Sequence, residues 1–328
     1  MKTLFRFLLV TLFMGSVIIF CASPGISADK TYKIGIATIA THPALEATRD
    51  GFIDQMAREG FVEDKNVKYE KNNAEGDLSL AGTIANKFVS QKKDLIFAIS
   101  TPIAQACVGA SRGTIPIVFA AVTDPVAAEL VDSWKKPGGN ITGTSDWMDV
   151  GYQLEIMLEA VPSIKKVGVI YNSGEVNSQV QVDELKKAAR EHGVKVVEAT
   201  ASVSTEIMPA SKAIVDRVDA MWFPTDNLVV NSLESVLKVC EDKQVPLFGS
   251  ETSQTKRGVI ASAGLSYYDV GVSAGKQAAR VLNGKDPGSI PVNKVRMNKL
   301  SVNTAAAERM GIELPQSFLD KATEVIDE

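Results

Sequence analysis

Residues 165–198 read KKVGVIYNSGEVNSQVQVDELKKAAREHGVKVVE. An apolar run, VGVIY, ends at Tyr171 and a polar corner follows. A stretch of helical period then runs to Gly193, and a second short run, VKVVE, closes the unit. Strand, loop, helix, glycine and strand in this order describe a βαβ unit with parallel strands. The corner is richer than a turn requires. Ser173-Gly174 would reverse the chain by themselves, yet Asn172, Glu175, Asn177 and Ser178 crowd the same loop.

The pattern occurs twice. YKIGIAT at 32–38, a loop containing HPAL, a long helix-period stretch, a glycine and NVKYE at 66–70 repeat the grammar. Further on, Asp94 opens DLIFAISTPIAQA and Asp219 opens DAMWFPTDNLVV, while TIPIVFA at 114–120 is echoed by QVPLFGS at 244–250. The echoes lie about 130 residues apart, far beyond a solenoid period. Strands are predicted at 33–37, 95–99, 117–121, 167–171, 194–198, 220–223 and 259–263. Their apolar runs do not alternate, as expected of parallel strands covered on both faces. The intervening stretches place Ala81, Ile84, Ala85 and Phe88, or Leu233, Val236, Leu237 and Cys240, on one helical face. The fold class is therefore α/β, with two similar Rossmann-like lobes built on parallel sheets.

Composition agrees with a globular chain: 328 residues, 45% hydrophobic and 23% charged, enough for about two domains. The start differs. Lys2 and Arg6 precede the apolar FLLVTLFMGSVIIF, a pattern that predicts a cleaved secretory signal peptide over residues 1–28 and a periplasmic or extracytoplasmic location. The run is shorter than the ~20 residues of a spanning helix. Bulky Phe20 beside Cys21 disfavours a lipoprotein anchor at that cysteine. Taking Lys2 and Arg6 from the 35 basic residues leaves 33 against 39 acidic ones, with no basic block for nucleic acid. Cys107 and Cys240 fall on predicted helices as buried free thiols. His42 and His192 are the only histidines and have no clustered ligands nearby, so no metal or other cofactor is expected.

In open parallel sheets, ligands gather beyond the carboxyl ends of the strands. Those positions hold His42, Ser100, Thr101, Thr123 and Asp124 in the first half. In the second they hold Asn172, Glu175, Asn177, Ser178, Asp226, Asn227 and Glu251. The hydroxyls and amides suit hydrogen bonds to a small polar ligand, and Ser100-Thr101-Pro102 would open a helix whose free N–H groups favour an anion. The same residue types are ordinary helix caps, so each has two readings. His42 with Pro43 could equally shape a turn. Trp147, near the junction between halves, is the aromatic candidate for a ligand wall, although strand-end aromatics are more often core.

Taken in order, HPAL, GFVEDKNV, STPIAQA, TDPV, YNSGEVNS, TDN and the closing LNGKDPGSIPV…LSVNTAAAERMGIELP resemble the periplasmic substrate-binding proteins of ABC importers, of the tryptophan/tyrosine type. The resemblance spans the mature chain. It implies a type I periplasmic-binding clamp with hinge crossovers, no catalytic residues, a small-molecule ligand such as an aromatic amino acid, and a monomer that delivers cargo to an ABC permease. It also implies an N-terminal lobe of 29–145 plus 266–288, a C-terminal lobe of 146–265 plus 289–300, and a helical tail over 301–328. Two other functions share the scaffold: a ligand-sensing module for a membrane receptor, and a doubly wound periplasmic enzyme. The sequence carries no phosphate-cradling loop or metal cluster that would favour catalysis.

Overall fold

Two parallel-dominated sheets, each flanked by helices, account for the strand grammar of the sequence. The computed structural model describes residues 30–327, so the expected signal peptide lies outside the described residues. From Thr31 onward the chain forms one contact-linked unit containing both sheets.

The first sheet is built from β1 (Tyr32–Thr38), β2 (Val67–Asn73), β3 (Leu95–Ile99), β4 (Ile117–Val122) and β5 (Ile141–Ser145). The second takes β6 (Lys166–Tyr171), β7 (Lys195–Thr200), β8 (Ala220–Phe223), β9 (Leu247–Gly249) and β10 (Ala261–Gly264). Three short closing strands follow: β11 (Asn293–Lys294), β12 (Lys299–Asn303) and β13 (Glu324–Ile326). The sheet orders are β11-β5-β4-β3-β1-β2 and β13-β12-β10-β9-β8-β6-β7. Every pairing is parallel except β10 with β12. The inner strands β3 and β4 are buried along their whole length, which is why the sequence shows runs instead of alternation. Each sheet has its own apolar core.

The chain crosses between sheets three times: after Ser145, after Gly264 and after Lys294. Following the second crossing, the helix Tyr267–Leu282 packs on the helix Pro43–Arg58 of the first lobe. The backbones meet so closely that a Cβ on Gly271 would lie 2.0 Å from the Thr48 carbonyl oxygen. Two details differ from the expectations above. Segment 289–300 does not belong wholly to the second lobe, because Asn293–Lys294 pairs with β5 of the first sheet. Residues 301–328 are not a helical tail either: β12 and β13 add strands to the second sheet, with the short helices Thr304–Arg309 and Gln316–Leu319 between them. Short strands whose register is set by a neighbouring sheet leave little periodicity of their own.

Candidate functional site

The carboxyl ends of the two sheets face each other across a small cavity. His42, Leu45, Thr101, Ala121 and Thr123 line it from the first lobe, and Asn177, Thr225, Asp226, Asn227, Val230 and Glu251 from the second. Asp146 and Tyr267 close it at the first two crossovers. Its free volume is about 20 Å³, room for a water and not for an amino acid. The lobes are therefore closed on each other in the arrangement described.

Local backbone geometry aims several of these groups. Ser100, between β3 and the helix Thr101–Ser111, has φ 94° and ψ 156°, a region essentially restricted to glycine and costing on the order of 1–3 kcal/mol. That bend turns the first helical residues toward the cleft. Neither the Ser100 nor the Thr101 hydroxyl has a hydrogen-bond partner, although both are buried. Ala121, with φ 53°, sits where the β4–β5 register shifts. Such a bulge re-aims the residues that follow, here Thr123.

In the second lobe, Asp226 anchors the corner. Its Oδ2 accepts from the Asn172 N–H at 2.6 Å and the Ser178 hydroxyl at 2.7 Å, and its Oδ1 caps the Val229 N–H at 2.9 Å. Glu175 Oε2 accepts from Asn177 Nδ2 (3.0 Å), Asn227 Nδ2 (2.6 Å) and the Asn227 N–H (3.2 Å). Burial, then the neighbouring Asp226 charge, raise Glu175 to about 7 against those donors. Burial likewise raises Asp226, Asp146 and Glu251. Asn177 Nδ2 also donates to the Thr225 carbonyl at 2.9 Å, while its Oδ1 is buried without a partner.

The lobes meet where the Thr123 and Thr225 hydroxyl oxygens lie 3.4 Å apart. At the crossovers, Asp146 accepts from Thr123 (3.3 Å) and from the Tyr267 hydroxyl (2.8 Å). His42 is 8% exposed and its Nδ1 has no partner. Burial first, and the Arg257 charge second, lower its pKa to about 4, partly opposed by the Asn227 side chain.

Of the sequence candidates, His42, Thr101, Thr123, Asn177, Asp226, Asn227 and Glu251 line the cavity. Asn172, Glu175 and Ser178 stand behind it and hold Asp226, Asn177 and Asn227. Ser100 shapes the turn ahead of Thr101. Asp124 and Trp147 do not line the cavity. Asp124 accepts from the Val126 and Ala127 N–H groups as a turn cap. Trp147 lies beside Lys294, whose Nζ is 5.2 Å from its ring centre, joining the first and third crossovers. Sequence reasoning missed Asp146 and Tyr267. Both flank crossovers, 121 residues apart, and no local pattern joins them. Among the described residues no group of ligands suited to a metal is present, and no helix is long and apolar enough to cross a membrane.

Residues 33–326 match the ABC transporter substrate binding protein family. The chain belongs to that family. A tyrosine-binding protein of Clostridioides difficile is 42% identical over 276 residues, spanning 84% of this chain and 80% of the relative. A Streptococcus pneumonia domain solved in complex with L-Trp is 35% identical, with TM-score 0.87 over 90% of this chain and all of the other. A ligand-free, open structure of a Clostridium difficile substrate-binding protein with adhesive properties is 39% identical, over 91% of this chain and all of the other, yet its TM-score falls to 0.68. This protein superposes more closely on the Trp complex than on the open, ligand-free structure. The fold is the type I periplasmic-binding clamp. The protein is an extracytoplasmic substrate-binding component of ABC transport.

Proposed function

We propose that the protein captures an aromatic amino acid between its lobes and delivers it to an ABC permease, working as a monomer released into the periplasm or its equivalent after removal of residues 1–28. The moving bodies in this reading are 31–145 with 266–294, and 146–265 with 295–327. The observation that carries it is a pair of sealed, unpaired polar atoms on opposite lobes, Thr101 Oγ1 and Asn177 Oδ1. Leaving such groups unpaired costs about 1–3 kcal/mol each, and a zwitterion suits both. Its carboxylate accepts from the Thr101 hydroxyl and from the N–H groups at the start of the helix Thr101–Ser111, where the helix dipole favours an anion. Its ammonium donates to Asn177 Oδ1 and is held by the raised carboxylates Asp146 and Asp226, which burial leaves short of positive charge. Leu45, Ala121, Val230 and Tyr267 supply the apolar wall.

The mechanism follows. Cargo docks while the lobes are apart, closure brings the opposite lobe onto it, and the closed form gains population by its greater affinity for cargo. The relatives that bind tyrosine and tryptophan support the choice of cargo. The catalytic alternative would need a nucleophile or base in hydrogen-bond reach of a reacting atom, and the cavity carboxylates are instead tied to fixed backbone and side-chain donors. Calorimetry and thermal-shift assays on mature protein, unfolded and refolded to strip bound solute, test the proposal. Tyrosine or tryptophan at a hundred times its Kd should stabilise the protein by about 2.7 kcal/mol. No response to any amino acid from correctly refolded protein overturns the assignment.

A further inference from the structure

Of the buried, unpartnered polar atoms that line the cavity, His42 Nδ1 is the one the zwitterion does not use. The residue caps the start of the helix Pro43–Arg58 without a side-chain capping bond, so local helix structure does not explain it. Its ring is more than nine-tenths buried and Nδ1 has no partner. Leu45 is one helical turn along, and the Val230 carbonyl accepts from Arg257, the cation whose charge His42 feels. Asn227, one turn before Val230, acts on the same ring. Arg257 is itself held bidentate by Glu234. An imidazole kept neutral in this setting makes a poor counter-ion for a carboxylate. It retains one lone-pair nitrogen and one N–H, which suits a neutral polar partner set in an apolar wall.

We propose that His42 is a specificity-determining residue: its unpaired ring nitrogen hydrogen-bonds the polar atom of the cargo's aromatic side chain, the phenolic hydroxyl of tyrosine or the indole N–H of tryptophan, and so disfavours phenylalanine. The inference rests on the amino-acid reading above and adds the orientation of the cargo, side chain toward Leu45, Val230 and His42, charged ends toward Thr101 and Asn177. A site built to pair with a polar atom rejects the analogue that lacks it, because its own group is then left buried and unpaired.

The test is calorimetric titration of refolded wild type, His42→Leu and His42→Gln with L-tyrosine, L-tryptophan and L-phenylalanine. The wild type should bind tyrosine or tryptophan more tightly than phenylalanine. His42→Leu should weaken that preferred ligand on the order of tenfold or more, change phenylalanine affinity by less than about threefold, and so collapse the preference. His42→Gln, which restores a donor and an acceptor, should recover part of it. A parallel loss for all three ligands would show a merely structural role and overturn the inference while leaving the cargo assignment intact, as would an unchanged preference in His42→Leu. Wild type that binds none of the three overturns the cargo assignment and the role of His42 together.

Discussion

Replacing Glu175 with Gln should change how stability depends on pH in a direction fixed by the structure. Glu175 is 5% exposed and its Oε2 collects three donors. Gln keeps an acceptor of the same shape, so the main loss is the charge. In the folded protein, burial and Asp226 raise the Glu175 pKa from its ordinary 4.5 to about 7. Between those values the folded state holds a proton that the unfolded state has released. Stability from this group is therefore complete below pH 4.5 and is lost as pH rises through 7. At 1.36 kcal/mol per pH unit the full loss is about 3 kcal/mol, an upper bound because Asp226 shares the proton. Gln carries no such penalty. Urea denaturation of ligand-free wild type and Glu175→Gln at intervals from pH 4.5 to 8 gives the difference between the two stabilities. Taking that difference cancels His42, whose lowered pKa acts with the opposite sign over much of the same range. The variant should gain about 1–3 kcal/mol on the wild type between pH 5 and 8. Curves that stay parallel would refute the claim that the carboxylate is buried short of charge compensation.

Other consequences can be checked separately. Gly271→Ala puts a methyl 2.0 Å from the Thr48 carbonyl oxygen; forcing the helices apart should cost about 1–3 kcal/mol, read as a lowered melting temperature, and an unchanged value would deny the close contact. Cys107 and Cys240 are buried and free, with burial raising each thiol to about 12, so a thiol reagent should label them only after unfolding. If the ammonium is held by the buried carboxylates, 3-(4-hydroxyphenyl)propionate, which is tyrosine without its amino group, should bind at least about a hundredfold more weakly than tyrosine itself. Equal affinities in calorimetry would remove that role.

The fold was legible where burial leaves a mark on composition. β3 and β4 are inner strands, so LIFAI and IVFAAV stand out as runs. β5 is just as buried, but ITGTS is not an apolar run and does not read as a strand. Its Thr142 hydroxyl donates to the Ile290 carbonyl, and the Thr144 hydroxyl donates to the Gln277 side-chain carbonyl and pairs with the Ser273 hydroxyl. Polar side chains satisfied by distant partners look like loop in a sequence. The site followed the same rule. Asp124 and Asp226 both follow a threonine at a strand end, and the sequence treats them alike. Asp226 meets the Asn172 N–H and Ser178 across the sheet and lines the cavity, whereas Asp124 has only the turn it caps. Asp146 and Tyr267 become a pair only when two crossovers lie side by side.

Charge gives the closed cleft its direction. Asp146, Glu175, Asp226 and Glu251 are each less than a tenth exposed, and Arg257, the guanidinium whose charge Glu251 feels, is already taken by Glu234. Each carboxylate has hydrogen-bond donors, yet burial still raises all four above their ordinary range. Donors from amides and hydroxyls thus fix the position of these carboxylates without neutralising them. Bringing such groups together in a dry cleft is costly, and parting the lobes readmits water. A ligand that carries its own cation relieves that cost only in the closed form. Its affinity for closed over open, which is all that a ligand can contribute to closure, then has an identifiable source. Thr101 and Asn177 orient the cargo, while the uncompensated carboxylates make closure depend on it.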